Sequence, residues 1–222
     1  MALVEDDADI RDDAIVEQPR SVRKHPLLSE IYEHHDELIA DFLPSGDTLE
    51  VAFGQYMHPR ADVGLEAWPS NVAETDSPAI AGDARSLPFE TNSFDAVIGR
   101  RFLHHVPQGD RVEILREAAR VVAPGGRIVL LEGTPGYYRR ATKGIAFRMG
   151  LLGADSDIYG HLTSEELYET VSSTCEVLYH DSLGSPLMPA SISESGLSKH
   201  LFPVYRRTQF VKWWTLVVGE VA

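Results

Sequence analysis

The side chains best suited to chemistry gather in three places along the sequence. Glu33-His34-His35-Asp36-Glu37 puts two imidazoles and three carboxylates in consecutive positions, the donor types of a metal centre. The segment reads as helix, however, and neighbouring helical residues diverge by about 100°, so they cannot converge on one ion and no metal is expected. His104 and His105 form a second group, suited either to taking a proton or to bonding backbone at a helix start. The third is basic: Arg139, Arg140, Lys143 and Arg148, with no acid between Glu132 and Asp155. Tyr137, Ala141, Ile145 and Met149 follow i, i+4 spacing, so this stretch reads as a basic amphipathic helix. In a chain of net charge −14 that is a local reversal of sign, fit for an anion or for balancing acid elsewhere on the surface. One cysteine, Cys175, excludes an intrachain disulfide and a thiolate metal cluster.

These groups must be carried by a body of 222 residues, enough for one domain with a sizeable core. The acidity argues against affinity for nucleic-acid phosphates. Only four of the 20 cations are lysine, a solvation style similar to that of halophilic proteins, in which salt screens self-repulsion. No run approaches the roughly 18 apolar residues that span a bilayer, and MALVEDDADIRDD lacks a signal peptide's basic start, so the expected address is cytoplasmic. Residues 1–20 hold seven acids against two arginines and read as a flexible acidic tail, leaving 21–222 as a single domain.

Leu27, Leu28, Ile31, Leu38, Ile39 and Phe42 recur at helical spacing and predict a helix packed on that domain. Strands are expected at 48–53, 61–66, 79–82, 94–99 and 127–132. Between the last two, Asp110 and Glu113 predict a capping box, with Val112, Leu115, Ala119 and Val122 as the buried stripe. Pro124-Gly125 suits a type II turn. Thr163 and Glu166 predict a second capping box, opening a helix through about Ser173. CEVLYHDSL and QFVKWWTLVVGEV then read as an antiparallel strand pair, separated by an irregular stretch from Gly184 to Thr208. Strands alternating with helices imply an α/β sheet of doubly wound type.

GDARSLPFETNSFDAVIGRRFLHHV followed by REAARVVAPGGRIVLLEG resembles the middle of class I S-adenosylmethionine-dependent methyltransferases acting on small molecules, lipids and sugars. The resemblance covers about residues 46–182. It implies a Rossmann-like sheet, mostly parallel with an antiparallel last strand, and S-adenosylmethionine as cofactor. It further implies Glu66 as the ribose-binding acid, Asp83 with the Ala84 N–H on the adenine side, and Gly99 to Phe102, Arg100 included, along the methionine side. His104 or His105 would then be a base for the acceptor, and 134–162 a lid over it. With that lid go Arg139, Arg140 and Lys143 as contacts to a small, anionic acceptor such as an acidic sugar, a lipid or a carboxylate metabolite.

The match fails in one place. The family's D-x-G-x-G-x-G loop stands here as E-V-A-F-G-Q-Y, keeping only the Glu50 charge and Gly54. GQYMHPR then joins two strands that a helix normally separates. Seven extended residues reach roughly 23–25 Å, enough to return along a strand of about 17 Å only as a bare link. AWPSNVAETDSP, the next connection, leaves room for a helical turn at most, so the first-half helices are reduced. Two functions remain open: a methyltransferase with a remodelled pocket, and a non-catalytic methyltransferase-like binding or assembly module.

Overall fold

A computed structural model of the chain describes residues 26–54, 56–134, 161–184, 197, 200–203 and 212–222. In chain order the elements are α1 (Pro26–Ala40), β1 (Thr48–Val51), β2 (Val63–Glu66), α2 (Pro69–Ala73), β3 (Ala79–Ala81), β4 (Phe94–Arg100) and a 3-10 turn (Leu103–His105). There follow α3 (Gln108–Val121), β5 (Val122–Gly133), α4 (Ser164–Ser172), β6 (Glu176–Gly184) and β7 (Lys212–Glu220). The seven strands form one sheet in the order β3-β2-β1-β4-β5-β7-β6. The first five are parallel to their neighbours, and β7 runs antiparallel to both β5 and β6. This is the expected doubly wound sheet with its last strand reversed.

Side chains alternate across the sheet because successive strand residues point to opposite faces. Leu49, Val51, Leu65, Val97, Ile128, Leu130 and Val217 pack under α3 and α4. Ala96, Ile98, Val129, Leu131, Leu216 and Val218 pack under Ile39 at the end of α1 and Leu43 just after it. The buried residues of α3 are Arg111, Ile114, Leu115, Ala118 and Val121, so its core face is rotated from the expected Val112 and Ala119. Arg111 explains the rotation, since its Nε donates to the carbonyls of Leu103 and Val106 and draws that edge inward.

The expected Asp110–Glu113 capping box does not form. Pro107 is the N-cap with no side-chain cap, the helix begins two residues before Asp110, and the Asp110 carboxylate accepts instead from Arg85. The Thr163–Glu166 box is present in both directions. Residues 200–203 are helical inside the stretch expected to be irregular, where Phe202 buries against Ile31 of α1. Gly125 takes φ +78° within the long strand β5.

The sequence motif around L-P-F and R-V-V-A-P-G-G is held by a structural clamp. Arg120 donates to the carbonyls of Leu87 and Phe89 and pairs with Glu117, whose other oxygen accepts from the Leu87 N–H. Residues 1–20, the basic residues Arg139, Arg140 and Lys143 and the rest of the expected lid through residue 160 lie outside the described residues. Among the described residues no helix is long and apolar enough to cross a membrane.

Candidate active site

The carboxyl ends of the parallel strands bring the candidate residues to one edge of the sheet, where β1 ends near Glu50, β2 at Glu66, β4 at Arg100 and β5 at Gly133. The link from β1 to β2 contains no helix. It buries Phe53 and Met57 at 6% and 7% exposure, both against Gly64. A Cβ on Gly64 would stand 2.6 Å from the Phe53 ring and from Met57 Sδ, so the glycine makes room for the link to replace the lost helix. Ala52 and Gly54 take φ +54° and +65° as the chain turns off β1.

Glu50 and Arg100 meet in a buried network. Arg100 Nε donates to Glu50 Oε1 at 2.6 Å, Nη1 to Asp36 Oδ1 at 2.5 Å, and Nη2 to the Tyr56 carbonyl at 2.7 Å. The Tyr56 ring also lies against the guanidinium. Burial alone would lower the Arg100 pKa, but the charges of Glu50 and Asp36 outweigh it and hold it above the usual arginine value. The second Glu50 oxygen accepts from His58 N. His58 Nδ1 accepts from Arg60 N, so its Nε2–H donates to the Asp36 carbonyl. Arg100, expected along the methionine side, is thus committed to the interior.

Glu66 and Gly54 also come together. Glu66 is 4% exposed, accepts from Gly54 N at 2.7 Å and from Trp68 N at 3.3 Å, and has its pKa raised by desolvation against these bonds. Asp83 stands further out and is chelated by Arg85, whose bonds hold its pKa down. Beside the ends of β2 and β3, Asn71 of α2 is 1% exposed, and neither amide atom has a partner among the described residues. A buried amide lacking both partners costs free energy until a donor–acceptor edge meets it. An adenine edge is one such group, so the adenosine end of S-adenosylmethionine suits these residues. The methionine end faces a tighter arrangement, since Glu50 is already neutralised by Arg100.

At the ends of β4 and β5 a second carboxylate organises the histidines. Glu132, fully buried, accepts from Phe102 N and Leu103 N through Oε1, both at 2.7 Å, and from His104 Nδ1 through Oε2 at 2.9 Å. The carboxylate fixes the Nδ1–H tautomer of His104 and leaves Nε2 as an acceptor. His104 stacks on His161 at 5.0 Å between centroids and lies 4.0 Å from the His105 ring. Sequence reasoning missed Glu132, Asp36, Asn71 and His161. The signal for Glu132 was present, because it closes an apolar strand as Glu66 does. The residues 33–37 divide their roles: Asp36 pairs with Arg100, His35 packs on Trp214, and His34 lies 3.7 Å from Glu37.

The buried histidines give stability a pH dependence of definite sign. Desolvation is the largest cause lowering His35 and His58 below 6.5, with Arg101 adding to it at His35. Below that pH the unfolded chain takes up these protons and the folded chain does not. Stability is therefore full above about 6.5 and falls by up to roughly 1.4 kcal/mol per pH unit per histidine below it. Urea midpoints from pH 8 to 5 should decline below about 6.5, less so in His35→Phe. An unchanged slope in the variant would show that His35 is not among the groups responsible. Glu66 acts with the opposite sign at lower pH, because its raised pKa lets the folded chain bind its proton first.

Residues 52–130 match the family described as methyltransferase domain. A demethylmenaquinone methyltransferase of Mycobacterium sp. is 49% identical over 59 residues, which cover 27% of this chain and 25% of that one. The first curated relatives are matched over only 17–25% of their own length. Among solved structures, an S-adenosylmethionine-dependent methyltransferase from Thermotoga maritima superimposes with a TM-score of 0.67 at 15% identity, covering 96% of this chain and 99% of that one. A Haloferax volcanii methyltransferase, solved with the Trm112 methyltransferase activator, gives 0.65 at 18% identity, with coverage of 94% and 95%.

Proposed function

We propose that this chain, which belongs to the class I S-adenosylmethionine-dependent methyltransferase family, methylates a small-molecule acceptor, with His104 as general base. The observation that carries this is the buried Glu132 carboxylate on His104 Nδ1, which leaves Nε2 as the proton-accepting atom at the ends of β4 and β5. S-adenosylmethionine, when bound, supplies a methyl group already activated on a sulfonium, so the protein's task is alignment, exclusion of water and removal of one proton. Glu66 would hold the ribose hydroxyls, Asn71 and Asp83 with the Ala84 N–H the adenine edge, and Gly54 the close approach of the backbone. The family's usual small, lipid and sugar acceptors, together with Arg139, Arg140 and Lys143, support an anionic acceptor.

A second reading, a non-catalytic binding or assembly module, is favoured by the Arg100–Glu50–Asp36 network, which takes up the charge the cofactor's amino group would meet. The Haloferax volcanii relative with its activator makes a protein partner part of that reading.

Titration with S-adenosylhomocysteine separates the two. At 100 times Kd it should stabilise the chain by about 2.7 kcal/mol, a rise in Tm of roughly 5–11 °C. Glu66→Gln should weaken binding roughly 10–100-fold by replacing charge-assisted hydrogen bonds with neutral ones. No shift at millimolar ligand, in salt that keeps an acidic protein folded, would leave the module.

A further inference from the structure

Beneath α1, several buried nitrogens have no partner among the described residues. His35 is 2% exposed and its Nδ1 makes no hydrogen bond, and neither do Trp214 Nε1 and Arg101 Nη1. The three residues are linked through the Tyr32 ring. The His35 and Trp214 rings meet edge to face at 5.1 Å, and Tyr32, one turn earlier on α1, lies 6.4 Å from His35. The Arg101 guanidinium sits 3.9 Å over the Tyr32 ring. The indole and guanidinium nitrogens can only donate, and a neutral imidazole donates from Nδ1 in one of its tautomers. Among the described residues no carboxylate is paired with Arg101, because the nearby Asp36 and Glu50 both bind Arg100.

The backbone adds a second sign. Arg101 has φ +56°, a left-handed conformation that a side-chain-bearing residue keeps only when its surroundings enforce it, and its N–H is tied to the Leu131 carbonyl at 2.8 Å. A desolvated cation, surplus donors and a strained backbone in one place together describe a receptor for an acceptor-only group. We propose that Arg101, His35 and Trp214 form the binding site for the carboxylate of the molecule to be methylated. Calling that molecule the methyl acceptor rests on the methyltransferase reading above. A guanidinium with two neutral donors suits the acceptor-only edge of a carboxylate, whereas a phosphate dianion would add a second negative charge beside Asp36 and Glu50.

The location suits an acceptor. Trp214 lies over Gly133, 3.5 Å from where a Cβ would stand, and His161 Nδ1 is 3.6 Å from the same point. His161 stacks on His104, so the receptor stands one side chain away from the proposed base. Helix α1 is held in the sheet-facing cluster through Ile39, while Ile31 and Tyr32 rest on the small cluster with Phe202.

The test is thermal unfolding of the whole chain with acetate and benzoate against their neutral amides, at an ionic strength fixed by chloride. The carboxylates should raise Tm and the amides should not. Arg101→Met should lose the difference. Equal responses to carboxylate and amide, or an unchanged carboxylate response in Arg101→Met, would overturn the proposal. Should Arg101→Met fail to fold, His35→Phe and Trp214→Phe keep the charge but remove one donor each. Each should weaken the carboxylate response several-fold, and unchanged responses would overturn the site. S-adenosylhomocysteine and 5′-methylthioadenosine, which lacks a carboxylate, should bind Arg101→Met as they bind the native chain. Selective loss of the first would assign the receptor to the cofactor's tail and overturn the acceptor role. A native chain that discriminates carboxylate from amide yet binds neither nucleoside would support the receptor and sink the methyltransferase reading instead.

Discussion

An Arg100→Met variant should unfold about 3–5 kcal/mol more easily than the native chain, a loss in Tm of roughly 6–20 °C. Methionine keeps most of the volume but leaves Glu50, fully buried, and Asp36, 8% exposed, without the cation between them. The cost is that of uncompensated buried charge rather than the net worth of the pairs. Adding Glu50→Gln should therefore recover much of the loss, since the amide oxygen still accepts from His58 N while one stranded charge is gone. Urea unfolding of the single and double variants measures both numbers. A single variant within about 1 kcal/mol of the native chain would mean that water reaches the carboxylates and that the network is not what holds this edge.

The network explains how a sheet of this kind survives the loss of its first connecting helix. Asp36 comes from α1, Glu50 from β1, Arg100 from β4, and the Tyr56 carbonyl from the link itself. The guanidinium thus ties the shortened link to the elements on either side, while Phe53 and Met57 fill the space over Gly64. Stability and cofactor access are coupled here, because the residues that close the link also occupy the charge at the end of β1.

What was legible in the sequence follows from the range of the interactions. Strands and helices were visible as period 2 and period 3.6 patterns, and the antiparallel closing pair followed from two strands with no helix predicted between them. Glu66 was legible as an acid closing a strand. The failures involve partners far apart in sequence or a local competitor. Arg100 meets residues 50 and 64 positions away, so its inward turn left no trace in the nearby sequence. Glu132 closes an apolar strand as Glu66 does, but its bond to His104 emerges only when β5 is laid beside the turn that follows β4. The capping box at Asp110 failed because Pro107 starts the helix earlier and Arg85 takes the carboxylate. The His-rich run in α1 distributes its members among separate partners, as helical divergence requires.

The largest effect on activity is expected at the pair that these long-range contacts create. Glu132→Gln should lower kcat for the methyl acceptor by about 10²–10⁴-fold, as much as His104→Ala, while changing stability by under about 1 kcal/mol. A glutamine oxygen can still accept from Phe102 N and Leu103 N, so the turn after β4 keeps its shape. Its amide nitrogen would face His104 Nδ1, however, and donating there forces the ring's proton onto Nε2. A base that already carries its proton cannot take one from the acceptor, so the loss arises from the tautomer rather than from binding. KM for S-adenosylmethionine should stay within about 3-fold, because neither residue is placed on the adenosine side. Imidazole nitrogen chemical shifts read the tautomer directly and independently of turnover. If the shifts show the proton moved to Nε2 and kcat stays within about 3-fold of the native value, the acceptor needs no base and His104 is a structural residue. If the proton stays on Nδ1 and kcat still falls, Glu132 acts by shaping the turn at Phe102–Leu103, and the step from carboxylate to imidazole to acceptor is lost.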